Sequence, residues 1–501
     1  MRAVLNMENT KTALVIGAGF GGIAAALRLR AKGYAVTVYD RCPQVGGRAQ
    51  VFEHRGFRHD AGPTVITAPF LLEELFSLFG EKMSDHVTLV PLTPWYRFRF
   101  ADGDTFDYGG TIEQTLAEIE RIEPLDKKGY LALLDHSKRI FDVAFTQLSA
   151  KPFDRFATML QQIPSLIRLQ SYRTVWQLVS KYMKNPKLRQ AFSIQPLLVG
   201  GNPFDTTSIY GLIHYLERAY GVHFAMGGTG AITRALKELM ERHGISLQLN
   251  TTVSQIAVKD GAAIGLTLED GTVHTADVVV SNADPAHVYK HMIGSEHQPA
   301  AIKLKLGAAH YSMGLFVIFF GTTHTYPDVA HHTIWMGDRY RELLEDIFNQ
   351  KILAQDFSLY LHRPTATDTS FAPHGCDSFY VLCPVPNLLG NINWEVEGPK
   401  LQERIVAALD ETILPGLKSS ITAAFYMTPQ NFKNDYLSVN GAGFSVAPLF
   451  RQSAWFRFHN RAEGIKNLYL TGAGTHPGAG LPGVLCSAKV IDALIPAANA
   501  R

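Results

Sequence analysis

A glycine-rich loop between a short apolar strand and a helix is the feature that most constrains how this chain can fold. The apolar run Thr12 to Ile16 predicts a buried strand, and the glycines within residues 17–22 have G-x-G-x-x-G spacing. A helical apolar pattern covers Ile23 to Ala31, and Tyr34 to Tyr39 predicts a second strand that ends at Asp40. Together these segments predict a complete βαβ unit of the dinucleotide-binding type.

The residue types in this loop suit a bound pyrophosphate. Gly17 permits a tight turn, Gly19 lets the backbone approach the phosphates, and Gly22 allows the helix to pack closely on the strand. With Ala18, they leave the free N–H groups of the helix N-terminus to hold the phosphates. Asp40 lies 18 residues after Gly22, where it would accept hydrogen bonds from an adenosine ribose, and its negative charge disfavours a 2′-phosphate there.

A second glycine loop, Val45-Gly46-Gly47-Arg48-Ala49, follows within ten residues of Asp40. This spacing is not expected of an NAD enzyme. It resembles the second phosphate-contact loop of the flavoprotein superfamily that includes amine oxidases and carotenoid desaturases. That resemblance implies that Gly46 and Gly47 approach the cofactor and that Arg48 supplies a cation to the pyrophosphate. The alternative is a surface turn with a solvated arginine.

A third glycine-rich crossing from strand to helix lies near the C-terminus. Asn467 to Thr471 predicts a strand, and a small-residue helix is predicted from Val484. Four glycines between this strand and this helix are predicted to contact the cofactor: Gly472, Gly474, Gly480 and Gly483. The helix N-terminus would direct its positive dipole at the pyrimidine edge of a flavin. Ala473 stands where many FAD enzymes have an aspartate that binds the ribityl chain, so those contacts must be made otherwise.

The middle of the chain supplies further parts of the same predicted domain. Gly227-Gly228-Thr229 precedes an amphipathic helix and the strand Ile245 to Leu249. In the superfamily this segment folds back onto the adenine side, which would make the backbone of Val253 an adenine contact. Asp270-Gly271 indicates a hairpin, and Ala276 to Ser281 returns as a strand.

Motifs outside the glycine loops resemble those of the bacterial phytoene desaturases over nearly the whole chain. The stretches that carry this resemblance are Asp60 to Thr67, Leu197 to Phe204, His331 to Thr333, Asp356 to His362, Asn393 to Lys400 and Gly472 to Gly483. The family implies a peripheral membrane enzyme with noncovalent FAD that takes phytoene from the bilayer and introduces up to four double bonds. Lycopene is the favoured product over neurosporene, and the turn at Pro63 and Thr64 would approach the isoalloxazine ring.

The resemblance and the predicted elements together give an expected architecture. We expect an α/β fold with a Rossmann-like FAD-binding domain of the glutathione-reductase/amine-oxidase type, assembled from residues 11–90, 221–300 and 462–501. Residues 91–150 and 301–461 are expected to form a mixed α+β substrate-binding domain, and residues 151–220 a helical, basic, membrane-facing region. The apolar run Met313 to Phe320 predicts a buried strand.

Desaturation sets requirements that the sequence meets only in part. Two hydrogens must leave each CH2–CH2 unit, most simply one as hydride to flavin N5 and one as a proton. A hydrocarbon has no polar handle, so a long apolar tunnel is expected. Aromatic residues are dense in the predicted substrate regions, namely Trp95, Tyr96, Phe98, Phe192, Tyr210, Phe316, Phe319 and Phe320. No acid or base stands out, because His332, His476, Asp205 and Glu395 fit structural hydrogen bonds better, so the catalytic assignment stays open.

The segment from Lys151 to Gly200 carries eight basic residues against one acid, a local net charge of +7. Apolar residues recur there at near-helical spacing: Phe156, Leu160, Ile163, Ile167, Val175 and Leu178. Tyr172 and Trp176 could act as interfacial anchors, and such a surface suits anionic lipid headgroups. The alternative is a solvated helical cap over the substrate domain.

Composition excludes several other classes. The net charge of +2 gives no reason to expect nucleic-acid binding, and the four cysteines form neither a metal pattern nor a disulfide framework, which favours a reducing cytosol. We expect no bound metal. The N-terminal MRAVLNMENT has no apolar region typical of a signal peptide, and no run reaches the ~18 apolar residues of a spanning helix. With the peripheral attachment that the resemblance implies, the expected location is the cytoplasmic face of a membrane.

Other functions fit parts of the pattern. A later carotenoid desaturase, isomerase or oxygenase would share the scaffold, whereas a flavin amine oxidase needs a polar end for its amine. A non-enzymatic prenyl-binding escort module would not need the complete cofactor site. The expected partners are phytoene and other C40 intermediates, membrane lipids, and oxygen or a quinone as the electron acceptor, which no short motif identifies.

Overall fold

The computed structural model describes residues 10–500, and within them 19 strands pair into five sheets. In chain order the strands are β1 (Thr12–Ile16), β2 (Ala35–Tyr39), β3 (Val51–His54), β4 (Phe57–Asp60), β5 (Leu89–Pro91), β6 (Tyr96–Arg99), β7 (Thr105–Tyr108), β8 (His223–Ala225), β9 (Ser246–Gln248), β10 (Val253–Lys259), β11 (Ala262–Leu268), β12 (Val273–Thr275), β13 (Val278–Ser281), β14 (Gly314–Thr322), β15 (His332–Trp335), β16 (Leu359–His362), β17 (Asp377–Val385), β18 (Ile421–Met427) and β19 (Leu468–Leu470).

The same residues form 16 α-helices, with short 3-10 and π turns between them. They are α1 (Phe20–Ala31), α2 (Phe70–Ser77), α3 (Ile112–Ile122), α4 (Asp126–Phe141), α5 (Phe156–Arg168), α6 (Val175–Tyr182), α7 (Pro186–Ser193), α8 (Leu212–Tyr220), α9 (Thr229–Arg242), α10 (Pro285–His287), α11 (Ala300–Gly307), α12 (Tyr340–Glu345), α13 (Trp394–Thr412), α14 (Leu417–Ser420), α15 (Pro429–Tyr436) and α16 (Leu481–Leu494). The expectation of no signal peptide concerns mostly residues 1–9, which lie outside the described residues.

A five-stranded parallel sheet in the order β19-β13-β1-β2-β9 gathers strands from the beginning, the middle and the end of the chain. Ala13 and Val15 of β1 pack into the same core as α1 and α16, while Leu14 and Ile16 pack into a second core with β10 and β11. Both faces of the sheet are therefore covered, which explains the unbroken apolar character of β1. This confirms the α/β, Rossmann-like sheet built from discontinuous segments.

Two helices begin earlier than the apolar pattern predicts. α1 begins at Phe20 rather than Ile23, and α16 begins at Leu481 rather than Val484. The first turn of a helix has N–H groups without intrahelical partners, so glycine and proline are tolerated there. Gly22 and Gly483 consequently lie inside helices instead of in the preceding loops.

A seven-stranded mixed sheet in the order β18-β14-β17-β16-β15-β6-β7 forms the second layer. Its pairs are antiparallel except for β15 with β6, which run parallel. Every residue of β14 is buried, which confirms the buried strand predicted from the apolar run at 313–320. The sheet draws on residues 96–108 and 314–427, but the predicted domain boundaries themselves stay predictions.

Helices α3, α4, α6 and α7 share a hydrophobic core with β6 and β7 at one edge of the seven-stranded sheet. Val175 and Leu178 of α6 are 0% exposed and belong to this core, so the inclusion of these two residues in an apolar surface stripe was wrong. An amphipathic pattern shows that a helix has one apolar face, but not whether that face meets a core or lipid. Within residues 10–500, no helix combines the length and apolar character that crossing a membrane requires.

Candidate active site

One large cavity, of about 630 Å³, extends from the glycine loops of the parallel sheet to the seven-stranded sheet and helices α4, α5 and α8. Most of the predicted cofactor residues line it: Gly17, Gly19, Asp40, Gly46, Gly47, Arg48, Pro63, Thr64, Val253, Gly474, Gly480, Gly483 and Val484. The structure thus brings these residues together from four distant parts of the chain. Ala18, Gly22 and Gly472 lie behind that wall.

The two N-terminal glycine loops are joined to each other. The N–H of Gly46 donates to the carbonyl of Ala18 at 2.7 Å, and Gly46 forms an isolated parallel bridge with Gly19. A Cβ atom on Gly47 would lie 3.2 Å from the Cα of Gly19. The two loops therefore contact each other through backbone atoms alone. Because no side chain projects from these glycines, another molecule can approach the loop backbone.

Asp40 is held in a fixed orientation at the cavity edge. Its Oδ2 accepts from the N–H of Ala18 at 2.6 Å, and its Oδ1 accepts from the N–H of Cys42 at 2.7 Å. Each carboxylate oxygen keeps a second lone pair, so the residue can still accept a hydroxyl donor. Val253 lines the same end of the cavity, together with Thr251 and Thr252.

The glycines behind the wall serve packing. A Cβ on Gly22 would lie 1.9 Å from the carbonyl oxygen of Gly17, and one on Gly472 would lie 2.5 Å from Nδ2 of Asn282. Gly22 has the helix-to-strand packing role predicted for the third glycine. The N–H of Ala18 donates to Asp40, so Ala18 acts on the site through that carboxylate.

Asn282 is a cavity residue that the sequence reasoning missed. It follows β13, and its side chain lies against Gly19, Gly21 and Gly472, with Nδ2 donating to the carbonyl of Thr471 at 3.1 Å. It thereby ties the first glycine loop to the third. The available signal was a polar run, Ser281 to Asp284, directly after a buried parallel strand, where ligand-binding residues collect.

Arg48 presents a cation to the polar half of the cavity. Among the described residues its side chain makes one hydrogen bond, from Nη2 to Oγ of Ser438 at 2.7 Å. Burial lowers the pKa of this guanidinium, and the nearby carboxylate of Asp284 opposes that effect. Burial likewise raises the pKa of Asp284, and the charge of Arg48 opposes that effect. A cation held by one neutral partner is suited to an anionic ligand.

The C-terminal glycine loop is held from behind by Arg457, a second residue that was not foreseen. Its guanidinium donates to the carbonyl oxygens of Ala473 at 2.5 Å and of Thr475 at 3.0 Å. The side chain is 2% exposed. Nothing in the local sequence signals this contact, because Arg457 and the loop are joined only by tertiary packing.

The turn at Pro63 and Thr64 begins a chain of polar contacts. Oγ1 of Thr64 lies 2.6 Å from the hydroxyl of Tyr360, which lies 2.7 Å from Nδ1 of His332. Ring nitrogens of His331, His332 and His362 lie within 4.8 Å of one another. Burial lowers the pKa of His331 to about 3 and those of the other two well below their usual value, so all three are neutral near pH 7.

The other half of the cavity is apolar. Its walls include Leu166, Leu169, Ile213, Leu315, Met336 and Leu344. Of the eight aromatic residues considered from the sequence, Tyr210 lines the cavity, whereas the other seven belong to the hydrophobic cores.

Asp205 and Glu395 lie away from the cavity, and His476 lines it with Nε2 3.1 Å from the carbonyl oxygen of Leu148. Glu217 is a cavity carboxyl that was not foreseen.

The residues of the polar half fit an FAD molecule. A Cβ on Gly19 would lie 2.7 Å from Oδ1 of Asn282, so only glycine leaves this loop open. The N-terminus of α1 and that of α16 both border the cavity, where their free N–H groups suit phosphate and an electron-rich ring edge. Asp40, Arg48 and these two helix ends supply the acceptor, cation and donors that such a dinucleotide requires.

Comparisons with known proteins agree with this geometry. The model of the family "Flavin containing amine oxidoreductase" matches residues 20–490. A lycopene-forming phytoene desaturase of Pantoea ananas is 47% identical over 97% of this chain and 99% of its own length. A neurosporene-forming phytoene desaturase of Rhodobacter capsulatus is 43% identical over 98% of this chain and 95% of its own length. The solved cyclohexylamine oxidase of Brevibacterium oxydans shares the fold, with a TM-score of 0.62 and 14% identity over 97% of this chain and 98% of that one.

Proposed function

This chain belongs to the flavin-containing amine oxidoreductase family, within its phytoene desaturases, and we propose that it is an FAD-dependent desaturase that converts phytoene to lycopene by successive dehydrogenations. The observation that carries the proposal is a single cavity whose polar half fits a dinucleotide and whose other half is apolar. Three lycopene-forming relatives are 46–47% identical to the chain, and two neurosporene-forming relatives are 40–43% identical. This difference favours lycopene as the product.

The polar half would hold the cofactor through named contacts. The loop at residues 17–22 and Arg48 would hold the pyrophosphate, Asp40 the adenosine ribose, and the backbone of Val253 the adenine. The N-terminus of α16 would lie against the pyrimidine edge of the flavin, and Thr64 would border its ring. When bound, FAD supplies the oxidising capacity for removing hydrogen from a CH2–CH2 unit.

The apolar half would hold the hydrocarbon by shape and by exclusion of water. Leu315 and Met336 from the region of the seven-stranded sheet line this space together with Leu166 and Leu169 from the region of α5. No polar contact is needed to bind a C40 chain, because burial of its surface is favourable by about 25 cal/mol per Å². The same residues exclude water from the reacting carbons.

The decisive experiment is incubation of the purified protein with FAD and phytoene-loaded liposomes, followed by absorbance and chromatographic identification of the products. Lycopene as the end product supports the proposal, neurosporene would correct the number of steps, and untouched phytoene with bound FAD would overturn the assignment of substrate. Parallel reactions with oxygen alone, and with a quinone under anaerobic conditions, identify the electron acceptor. A protein with Gly19→Val is the matched control, since its cofactor loop is blocked.

We also propose that α5 attaches the protein to a membrane surface. Phe156, Leu160, Ile163 and Ile167 project from one face of this helix and are 41–62% exposed. A different face, with Met159 and Leu166, lines the apolar cavity. One helix therefore adjoins both the substrate space and an exposed apolar stripe. Nearby exposed cations are Arg155, Arg168, Lys181 and Lys184, and the exposed Tyr172 follows the helix.

A further inference from the structure

Glu217 is a buried carboxyl in the wall of the cavity. It lies on α8, where Ile213, Leu216 and Glu217 share one helical face and line the same space. The residue is 0% exposed. Its Oε1 accepts from the hydroxyl of Tyr96 at 2.8 Å, while Oε2 is buried and has no hydrogen-bond partner among the described residues. An unpartnered buried carboxylate oxygen is unfavourable for stability, and a functional role would account for it.

Helix α8 is linked through β8 to the segment that contains Thr64. The helix leads directly into β8, and the N–H of His223 in β8 donates to the carbonyl of Ile66 at 2.9 Å. Ile66 is two residues from Thr64. The ring of Tyr96, which holds Glu217, lies 5.9 Å from that of His332, the partner of Tyr360. Glu217, Thr64 and Tyr360 thus all line the cavity, and Tyr96 connects Glu217 with the histidine that contacts Tyr360.

The neighbouring cation does not neutralise Glu217. Arg218 directs its guanidinium to the carbonyl of Gly110 at 2.7 Å and to Thr115 and Tyr130, and it lies 4.5 Å from the ring centroid of Trp95. Burial raises the pKa of Glu217 to about 7, opposed by the hydrogen bond from Tyr96 and the charge of Arg218. The other titratable groups that face it are Tyr108 and Tyr130. Such a carboxyl exchanges protons readily near neutral pH.

We propose that Glu217 accepts the proton released in each dehydrogenation. The inference rests on the proposed function, with the flavin as the oxidant. One C–H bond of the CH2–CH2 unit breaks with its hydrogen and electron pair leaving to the flavin. The adjacent C–H bond gives its proton to Oε2 of Glu217, and the electron pair of that bond becomes the new C=C bond. Each step thus yields one double bond, one two-electron reduction of the flavin and one protonated carboxyl.

Other titratable residues of the cavity are less suited to this role. Asp40 accepts two backbone N–H groups at the dinucleotide end, and Asp284 lies with Arg48. Nε2 of His476 lies within hydrogen-bond distance of the carbonyl of Leu148, and Nδ1 has no partner among the described residues, but burial lowers the pKa of this histidine to about 4, so it is a weak base near pH 7. Burial raises the pKa of Tyr360 well above its usual value, so its phenol is a donor rather than a proton acceptor. Glu217 combines an unpartnered acceptor atom and a pKa raised to about 7 with a position next to the apolar cavity residues Ile213 and Leu216.

The test variant is Glu217→Gln, which keeps the shape of the side chain and an acceptor for Tyr96. It is compared with Glu217→Asp, which keeps the carboxyl. The control is Glu403→Gln, the same change at an exposed position of α13. We expect Glu217→Gln to lower kcat by about 100-fold or more, with unchanged FAD affinity and melting temperature. Glu217→Asp should recover part of the rate, and Glu403→Gln should match the wild type. Removal of the Tyr96 donor by Tyr96→Phe should move the acidic limb of the pH–rate profile to higher pH.

A second readout does not depend on turnover. Infrared difference spectra of protein labelled with ¹³C-glutamate should show a carboxyl band that titrates near pH 7 and is absent from Glu217→Gln. Normal kcat in Glu217→Gln together with an unchanged pH profile overturns the inference, as does a Glu217 carboxyl that stays protonated throughout the pH range in which the enzyme is active. If the wild type leaves phytoene untouched while the band still titrates, the proposed substrate has failed rather than the assignment of a proton-active Glu217.

Discussion

The N–H of Gly46 donates to the carbonyl of Ala18 at 2.7 Å, so the second glycine loop is an integral part of the first. Gly46 has a φ of +115°, and a Cβ there would lie 2.9 Å from the carbonyl oxygen of Ala49. Because both loops border the predicted pyrophosphate position, distortion at Gly46 should be transmitted to cofactor binding. Because of this hydrogen bond, the two loops form one site.

Gly46→Ala should weaken FAD binding by about tenfold and lower the free energy of unfolding by about 1–3 kcal/mol, because alanine is strained at this φ. The measurement is titration of the FAD-free protein by quenching of flavin fluorescence, alongside thermal unfolding. Gly307→Ala is the control, since Gly307 ends α11 and a Cβ there meets nothing within 4 Å. Equal FAD affinity of the Gly46 variant and the wild type would refute a cofactor role for this loop.

Replacement of Arg48 tests whether its cation faces phosphate. Arg48→Ala should reduce FAD affinity by about tenfold or more, whereas Arg48→Lys should retain part of it, because lysine keeps the charge but loses the planar fork. Isothermal titration with FAD and with riboflavin separates the contributions, since riboflavin has no pyrophosphate. An arginine that is merely structural would lower the affinity for both ligands by the same factor.

The sequence predicted the polar half of the site better than the apolar half. Gly17, Gly19 and Asp40 could be found because a βαβ unit sets its ligand contacts by local spacing. Glu217 and Tyr360 could not, since each contacts the site through elements that are far apart in the chain. Their partners, Tyr96 and Thr64, become visible only when the two sheets are in place.

The mistaken surface assignment of Val175 and Leu178 has a related cause. Both residues belong to an amphipathic helix, and Leu178 packs near Ile140 against Gly211. Periodicity reveals an apolar face but does not identify its partner. Phe156 and Ile167, from the same basic segment, remain exposed, so one pattern produced both a core helix and a surface stripe.

The histidine cluster predicts acid destabilisation. Burial lowers the pKa of His331 to about 3 and that of His362 well below its usual value of about 6.5. Below about pH 6.5 the unfolded chain therefore binds protons that the folded chain does not, and each such histidine costs up to about 1.4 kcal/mol per pH unit. The stability that these histidines contribute is full above pH 6.5 and is lost progressively as the pH falls toward about 3, the folded-state pKa of His331.

His362→Phe isolates this contribution, because the free energy of unfolding of the variant should fall less steeply from pH 7 to pH 5 than that of the wild type. The comparison must be between variants, since Glu217 and Asp60, whose pKa values burial raises to about 7 and about 6, change stability in the opposite direction. Denaturant titrations at several pH values provide the measurement. Identical slopes for the two proteins would show that His362 is protonated in the folded state.

Attachment through α5 predicts a specific loss of membrane binding. Ile163→Glu with Ile167→Glu places two charges in the exposed apolar stripe and should abolish cosedimentation with vesicles that contain anionic lipid, while FAD binding persists. Glutamate at Arg168 and Lys181 should weaken vesicle binding to a smaller extent, by about 1 kcal/mol for each cation removed. The binding that remains should also be less sensitive to salt. Both effects belong to the same helix and its basic surroundings.

Val273→Glu is the matched control. Val273 is 59% exposed on β12, which belongs to the three-stranded sheet β10-β11-β12 and not to α5. If this variant loses vesicle binding as strongly as the α5 variant, the attachment is not specific to the stripe. The α5 variant should also desaturate phytoene supplied in detergent at the wild-type rate but fail with phytoene in vesicles, because its cavity is intact and only substrate delivery is blocked. A loss of rate in both settings would mean that α5 shapes the cavity rather than contacting the membrane.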